Sequence, residues 1–241
     1  MATSLADFAE QANPKTLAEL RRANFRQATR IQGSFLARVE KRALVWMAER
    51  MPPWVNSDHL TVIGFAGEVA TGVCYALAAW DRRWLLAAIA SLAINWFGDS
   101  LDGTLARVRQ RQRPRYGFYV DHILDSIGAT AMMGGIALSG YMHPVIAIGL
   151  LVAFLLLSIQ SYLATHTLGE FHLSFWSFGP TELRILLVAG NLALFRWEWV
   201  IQGRFRLFDV GGAIGLVGMI AMLLFFTAKN TARLYREERI E

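Results

Sequence analysis

Six stretches of about twenty predominantly apolar residues, near 60–80, 84–107, 117–140, 144–165, 180–200 and 208–228, set the terms on which this chain can fold. A helix needs ~20 such residues to cross ~30 Å of hydrocarbon. Six of them predict an all-α polytopic integral membrane protein with six transmembrane helices. Composition agrees, since 54% of the 241 residues are hydrophobic and the mean hydropathy is +0.34, too apolar for an ordinary soluble domain. The formal charge of +5 suits nucleic acid or anionic lipid, and the apolar content selects membrane lipid and leaves nucleic acid out. Cys74 is the single cysteine, which excludes an internal disulfide framework and a cysteine-built zinc site. Residues 1–55 are charged throughout, with no apolar core ahead of a cleavage site, so the first span is expected to serve as the insertion signal.

Lys and Arg counts orient the spans. With both termini inside, nineteen basic residues fall on the inner side and five on the outer. This predicts cytoplasmic termini. The chain divides into a cytoplasmic amphipathic leader, 1–55, and a six-helix membrane domain, 56–241. Within the leader, residues 17–51 carry Phe35, Leu36, Val39, Leu44, Val45 and Met47 as one face and Arg38, Lys41, Arg42 and Glu49 as another. That pattern fits a helix lying on the membrane surface or one packed on its own protein. Pro52 and Pro53 end it.

Four carboxylates interrupt the second and third spans, where an ionised group costs a few kcal/mol unless it lines a cavity, pairs or binds an ion. Asp99 and Asp102 are three apart and Asp121 and Asp125 four apart, so each pair shares a helix face. Two adjacent antiparallel helices then bring the four to one level, at the cytoplasmic ends. Unpaired they would repel; hard divalent cations, Mg²⁺ or Mn²⁺, match their oxygen donors. Gly103, Ala106 and Gly117 leave room for a ligand against the backbone, and Arg107 supplies a fixed cation suited to phosphate. Together these residues describe a two-metal site for a diphosphate. Helix capping or simple ion pairing does not explain four aspartates so placed, whereas Arg109, Arg111, Arg113 and Arg115 read more simply as a positive-inside anchor.

The run Asp99-x2-Asp102-Gly103-x2-Ala106-Arg107-x9-Gly117-x3-Asp121-x3-Asp125 resembles the signature of the CDP-alcohol phosphotransferase (phosphatidyltransferase) family, matching all eight positions within 27 residues. The resemblance implies a six-helix core, an interfacial leader helix and an enzyme of phospholipid synthesis that cleaves a CDP-linked donor and releases CMP. It implies that Asp99, Asp102, Asp121 and Asp125 hold two divalent cations, that Asp125 is also the base, and that Gly103, Ala106, Arg107 and Gly117 line the nucleotide. Members divide between CDP-diacylglycerol donors with a small alcohol acceptor and CDP-choline or CDP-ethanolamine donors with diacylglycerol. Asp121-His122-x2-Asp125-Ser126, Gln160-Ser161-Tyr162 and Thr181-Glu182-x2-Ile185 are similar to stretches of the second branch, although the chain lacks that branch's additional spans. Dimerisation is compatible with the family and is not legible in these residues.

Other positions carry two readings. Asp58 and Thr61 stand where the family opens its first span with Pro-Asn-x-Leu-Thr, which gives nucleotide contacts or, more plainly, a helix N-cap. Glu182, with Arg184, follows Gly179-Pro180 and is a cap, an ion-pair partner or an acceptor-headgroup contact. His122 neighbours Asp121 but points ~100° away on a helix, so it is packed or hydrogen-bonded, or touches the headgroup. His166 and His172 bind a headgroup or are solvated, and Glu68 faces the cavity or pairs with an arginine. A cation transporter is the rival from another class, opposed by carboxylates gathered at one membrane face. A catalytically silent scaffold of the same fold is opposed by the intact motif.

Overall fold

The computed structural model describes residues 37–168, 179–197 and 206–239, together with the backbone of two short strands. Its helices are α1 (Ala37–Arg50), α2 (Ser57–Leu77), α3 (Trp84–Val108), α4 (Pro114–Leu138), α5 (Pro144–Leu168), α6 (Pro180–Arg196) and α7 (Leu207–Glu237). The strands, β1 (Thr29–Ile31) and β2 (Glu170–His172), pair in parallel with Thr29 opposite Glu170. Three-residue strands have no periodicity to read, and the described elements are otherwise all helices, as expected. Much of the expected leader, Phe35 and Leu36 included, lies outside the described residues.

Among the described residues four helices, α2, α3, α5 and α7, are long and apolar enough to cross a membrane. Along α7 the exposed Val210, Ile214, Val217, Ile220 and Leu224 recur at helical spacing, an apolar stripe suited to lipid. α4 is interrupted by Asp121 and Asp125, and the 17 residues of α6 span only ~25 Å.

α2 is the central helix, and small residues let its neighbours close on it. A Cβ on Gly64 would stand 2.8 Å from the Asp99 backbone nitrogen, and one on Gly98 would collide with the Gly64 backbone. On the other side Gly72 meets Gly135 and Ala131 of α4. Two apolar clusters bracket the middle of α2 and α3. One gathers Tyr75, Ala78, Leu85, Leu92, Ile136 and Phe208; the other packs Leu44 and Ala48 of α1 on Leu60, Leu101 and Leu105. α1 therefore rests one face on its own protein. Val39 and Trp46, from its opposite side, are 70% and 57% exposed.

Chain ends of the helices are tied by side chains. Asn56 caps α2, accepting the His59 N–H at 3.0 Å while the His59 ring accepts the Asn56 N–H. The cap is thus Asn56, and Asp58 in the first turn instead pairs with Arg113. Arg109 donates to the Met51 and Pro52 carbonyls at 2.8 and 2.9 Å and also to Val55, holding the α1–α2 turn against the end of α3. Two of the four arginines expected to act as anchors therefore have specific partners.

Candidate active site

The close crossing of α2 and α3 turns one face of each helix into a shared cleft, which α4 completes. Thr61, Gly64, Phe65 and Glu68 come from α2, Asn95, Asp99 and Asp102 from α3, and Asp121, Leu124 and Asp125 from α4. Spacings of three and four along each helix bring these residues to one side. Asp99, Asp121 and Asp125 each offer a carboxylate oxygen, and the three oxygens lie within 4.8 Å of one another. Such a set of hard oxygen donors fits Mg²⁺ or Mn²⁺. Half-buried carboxylates this close repel one another, and a cation relieves that repulsion.

Asp102 lines the same cleft but is turned toward α2. Its Oδ2 accepts the Thr61 hydroxyl at 2.6 Å, its Oδ1 accepts the N–H of Gly103, and its carbonyl accepts the Ser57 hydroxyl at 2.6 Å. Of the four expected carboxylates, three converge and the fourth is held by a threonine. Arg107 donates to the Thr104 hydroxyl at 2.9 Å and lies over Gly103, where a Cβ would stand 3.4 Å from its Nη1. No neighbour lies within 4 Å of where a Gly117 Cβ would be, and Ala106 is half-buried. Asp58 lies outside the cleft lining.

α6 contributes what sequence spacing did not reveal. Arg184 places Nη2 2.5 Å from Asp99 Oδ2 and Nε 2.8 Å from Asn95 Oδ1. Asn95 in turn donates to the Gly64 carbonyl at 3.0 Å. Glu182 accepts the Gly179 N–H at 3.0 Å and so caps its own helix. Glu40 of α1 gathers Trp96 Nε1 at 2.8 Å and the Thr181 hydroxyl at 2.7 Å, tying α1, α3 and α6 together. Glu68 faces the cleft, its carboxylate over Gly128 in space that a side chain there would take. Of the two readings the sequence left open for it, the fold selects the cleft. Arg184 and Glu40 gave no signal for their contacts, because their partners are remote in sequence.

On α4, His122 stacks on Phe118 with centroids 4.2 Å apart, and Tyr162 of α5 meets its ring at 4.8 Å. His122 Nδ1 lies 2.6 Å from the Phe118 carbonyl, which can only accept, so that nitrogen carries a proton. The histidine is both packed and hydrogen-bonded.

A bundle with membrane-length apolar helices and a carboxylate cleft toward one end defines an integral membrane protein. The family model for CDP-alcohol phosphatidyltransferase matches residues 54–228, and the chain belongs to that family, whose members transfer substituted phosphate groups in phospholipid synthesis. The chain is also similar to the inner membrane protein YnjF of Escherichia coli (strain K12), 33% identical over 153 residues that cover 58% of this chain and 71% of that protein.

Proposed function

We propose that the protein transfers a substituted phosphoryl group from a CDP-linked donor to an alcohol hydroxyl at the α2–α3–α4 cleft, releasing CMP. The convergence of Asp99, Asp121 and Asp125 carries this reading. Asp99, Asp102, Asp121 and Asp125 would hold two divalent cations, whose chemistry is to neutralise charge on the diphosphate and on departing CMP. Asp125 takes the proton of the acceptor hydroxyl. The hydroxyl oxygen bonds to the phosphorus bearing the transferred group, and the bond from that phosphorus to the bridging oxygen of CMP breaks. Thr61 aims the Asp102 carboxylate, and Gly103, Ala106, Arg107 and Gly117 form the nucleotide side. Asp58 reaches the nucleotide only if its pairing with Arg113 opens.

In this reading α4 and α6 also cross the membrane, giving six spans: α4 packs between α2 and α5, and α6 packs on α3. Both termini and the cleft face the cytoplasm, where the nucleotide donor is made, and the outward Val39 and Trp46 of α1 rest at the membrane surface. CDP-diacylglycerol with a small alcohol is one substrate pair. CDP-choline or CDP-ethanolamine with diacylglycerol is the other, favoured by the contact of His122 with Tyr162, because both lie in segments similar to that branch.

The test is CMP release by detergent-purified protein with Mg²⁺ or Mn²⁺. One arm holds CDP-diacylglycerol and a panel of small alcohols, the other CDP-choline or CDP-ethanolamine and diacylglycerol. CMP in one arm alone assigns the donor. No CMP from any donor by folded, metal-supplemented protein contradicts the proposal.

A further inference from the structure

α6 delivers a permanent cation into the acidic cleft. Arg184 is fixed at two points on α3: Nη2 lies 2.5 Å from Asp99 Oδ2, and Nε lies 2.8 Å from Asn95 Oδ1. The side chains of Arg184 and Asp99 are only 16% and 28% exposed, so water screens the pair poorly. A guanidinium does not lose its charge in a protein. The placement is built into the fold, because the first turn of α6 is held by the bond from Gly179 to Glu182 and by the bond from Thr181 to Glu40. Asp99 is also one of the three carboxylates whose oxygens converge within 4.8 Å. One carboxylate thus serves both the arginine and the cluster that fits a divalent ion.

We infer that Arg184 is the resident counter-cation of this cleft: it offsets the charge of Asp99 when no divalent cation is bound, and it competes with divalent cations for that carboxylate. The inference rests on the metal-binding reading of the site. Loading the site requires the guanidinium to give up Asp99 Oδ2 or to share that carboxylate with a doubly charged neighbour, and either weakens metal binding. Arg184 would then set how much divalent cation the protein needs, keeping the cleft from collapsing apart through like-charge repulsion before it is filled.

The experiment titrates the detergent-purified full-length protein with Mn²⁺ and with Mg²⁺, reading binding by calorimetry and the metal-induced rise in melting temperature. Arg184→Gln is expected to bind Mn²⁺ at least about tenfold more tightly than the native protein, because a fixed like charge has been removed from beside the ion. It is also expected to melt lower in chelator and to gain more on metal addition. Arg184→Lys keeps the charge and is expected to stay within about threefold of the native affinity. If Arg184→Gln does not fold in chelator, added Mn²⁺ must recover it, and failure to recover overturns the inference. Equal or weaker metal binding by Arg184→Gln, with the native protein binding normally, overturns the inference and leaves the metal site standing. Absence of binding by the native protein removes the metal site, and the inference with it.

Discussion

Both oxygens of Asp102 are engaged by the protein, Oδ2 by the Thr61 hydroxyl at 2.6 Å and Oδ1 by the Gly103 N–H. A hydrogen bond to a charged group contributes about 1.5–3 kcal/mol. Thr61→Val is therefore expected to lower the melting temperature and, by freeing the Asp102 carboxylate, to lower CMP release about tenfold in the protein that remains folded, and Thr61→Ser to restore most of both. A rate for Thr61→Val equal to the native rate would show that the carboxylate needs no such aim. Asp125→Asn is expected to cost at least 10²-fold in transfer, about the contribution of a positioned general base, with the fold intact. The aspartates were legible in the sequence because ionised groups in apolar helices demand a reason, and their spacing gave the shared face. Glu68 stood alone in its span and its partner groups lie on other helices, so only the fold resolved it. Arg184 was legible as a residue near the start of α6, but its reach to Asp99, 85 positions earlier, was not.

At the scale of elements, the cleft exists because α2 and α3 touch through glycine. Gly98→Leu is expected to drive the helices apart and to abolish a monodisperse folded peak in size-exclusion chromatography, because no flexible side chain can yield where the Gly64 backbone lies. The end of α3 offers the opposite kind of change. Gln110 adopts φ 54° at the close of the helix, where the Arg111 N–H reaches back to the Ala106 carbonyl at 2.9 Å. A glycine is suited to that left-handed position, so Gln110→Gly is expected to stabilise by about 1 kcal/mol, read as a raised melting temperature. Arg109→Ala, which frees the Met51, Pro52 and Val55 carbonyls, is expected to speed proteolysis at the α1–α2 turn, whereas Arg111→Ala is not. The positions of the helices from 57 onward were readable from apolar runs, and Pro180 opens α6 as read, but α7 continues past the expected 228 to Glu237 through residues too polar for an apolar run to mark. The role of α1 was not readable: Val39 and Leu44, expected on one apolar face, lie on opposite sides, Leu44 and Ala48 packing on protein while Val39 and Trp46 are exposed.

Across the whole molecule, the carboxylate cleft and the larger apolar cluster lie toward opposite ends of the bundle. The carboxylates, Arg107, Arg109, Arg113 and Arg184 gather at the end where α3 and α5 finish and α2, α4 and α6 begin, while Tyr75, Leu85 and Ile136 fill the other end. The meeting of α3 and α4 at their carboxylates was legible from the two aspartate pairs and the short connection between them, whereas the fit of α6 against α3 was not. The family's signature covers 27 residues, but the cleft it builds also draws on α2 and α6, which lie outside it. The most direct test of the central claim compares CMP release by native protein and by Asp121→Asn, each in chelator and with Mn²⁺ or Mg²⁺ restored. Native protein is expected to be silent in chelator and active on metal restoration, and Asp121→Asn, folded to the same melting profile, to stay at least about 10²-fold slower than native protein with metal restored. Native turnover undiminished by chelator, or Asp121→Asn turning over at the native rate, would contradict the central claim.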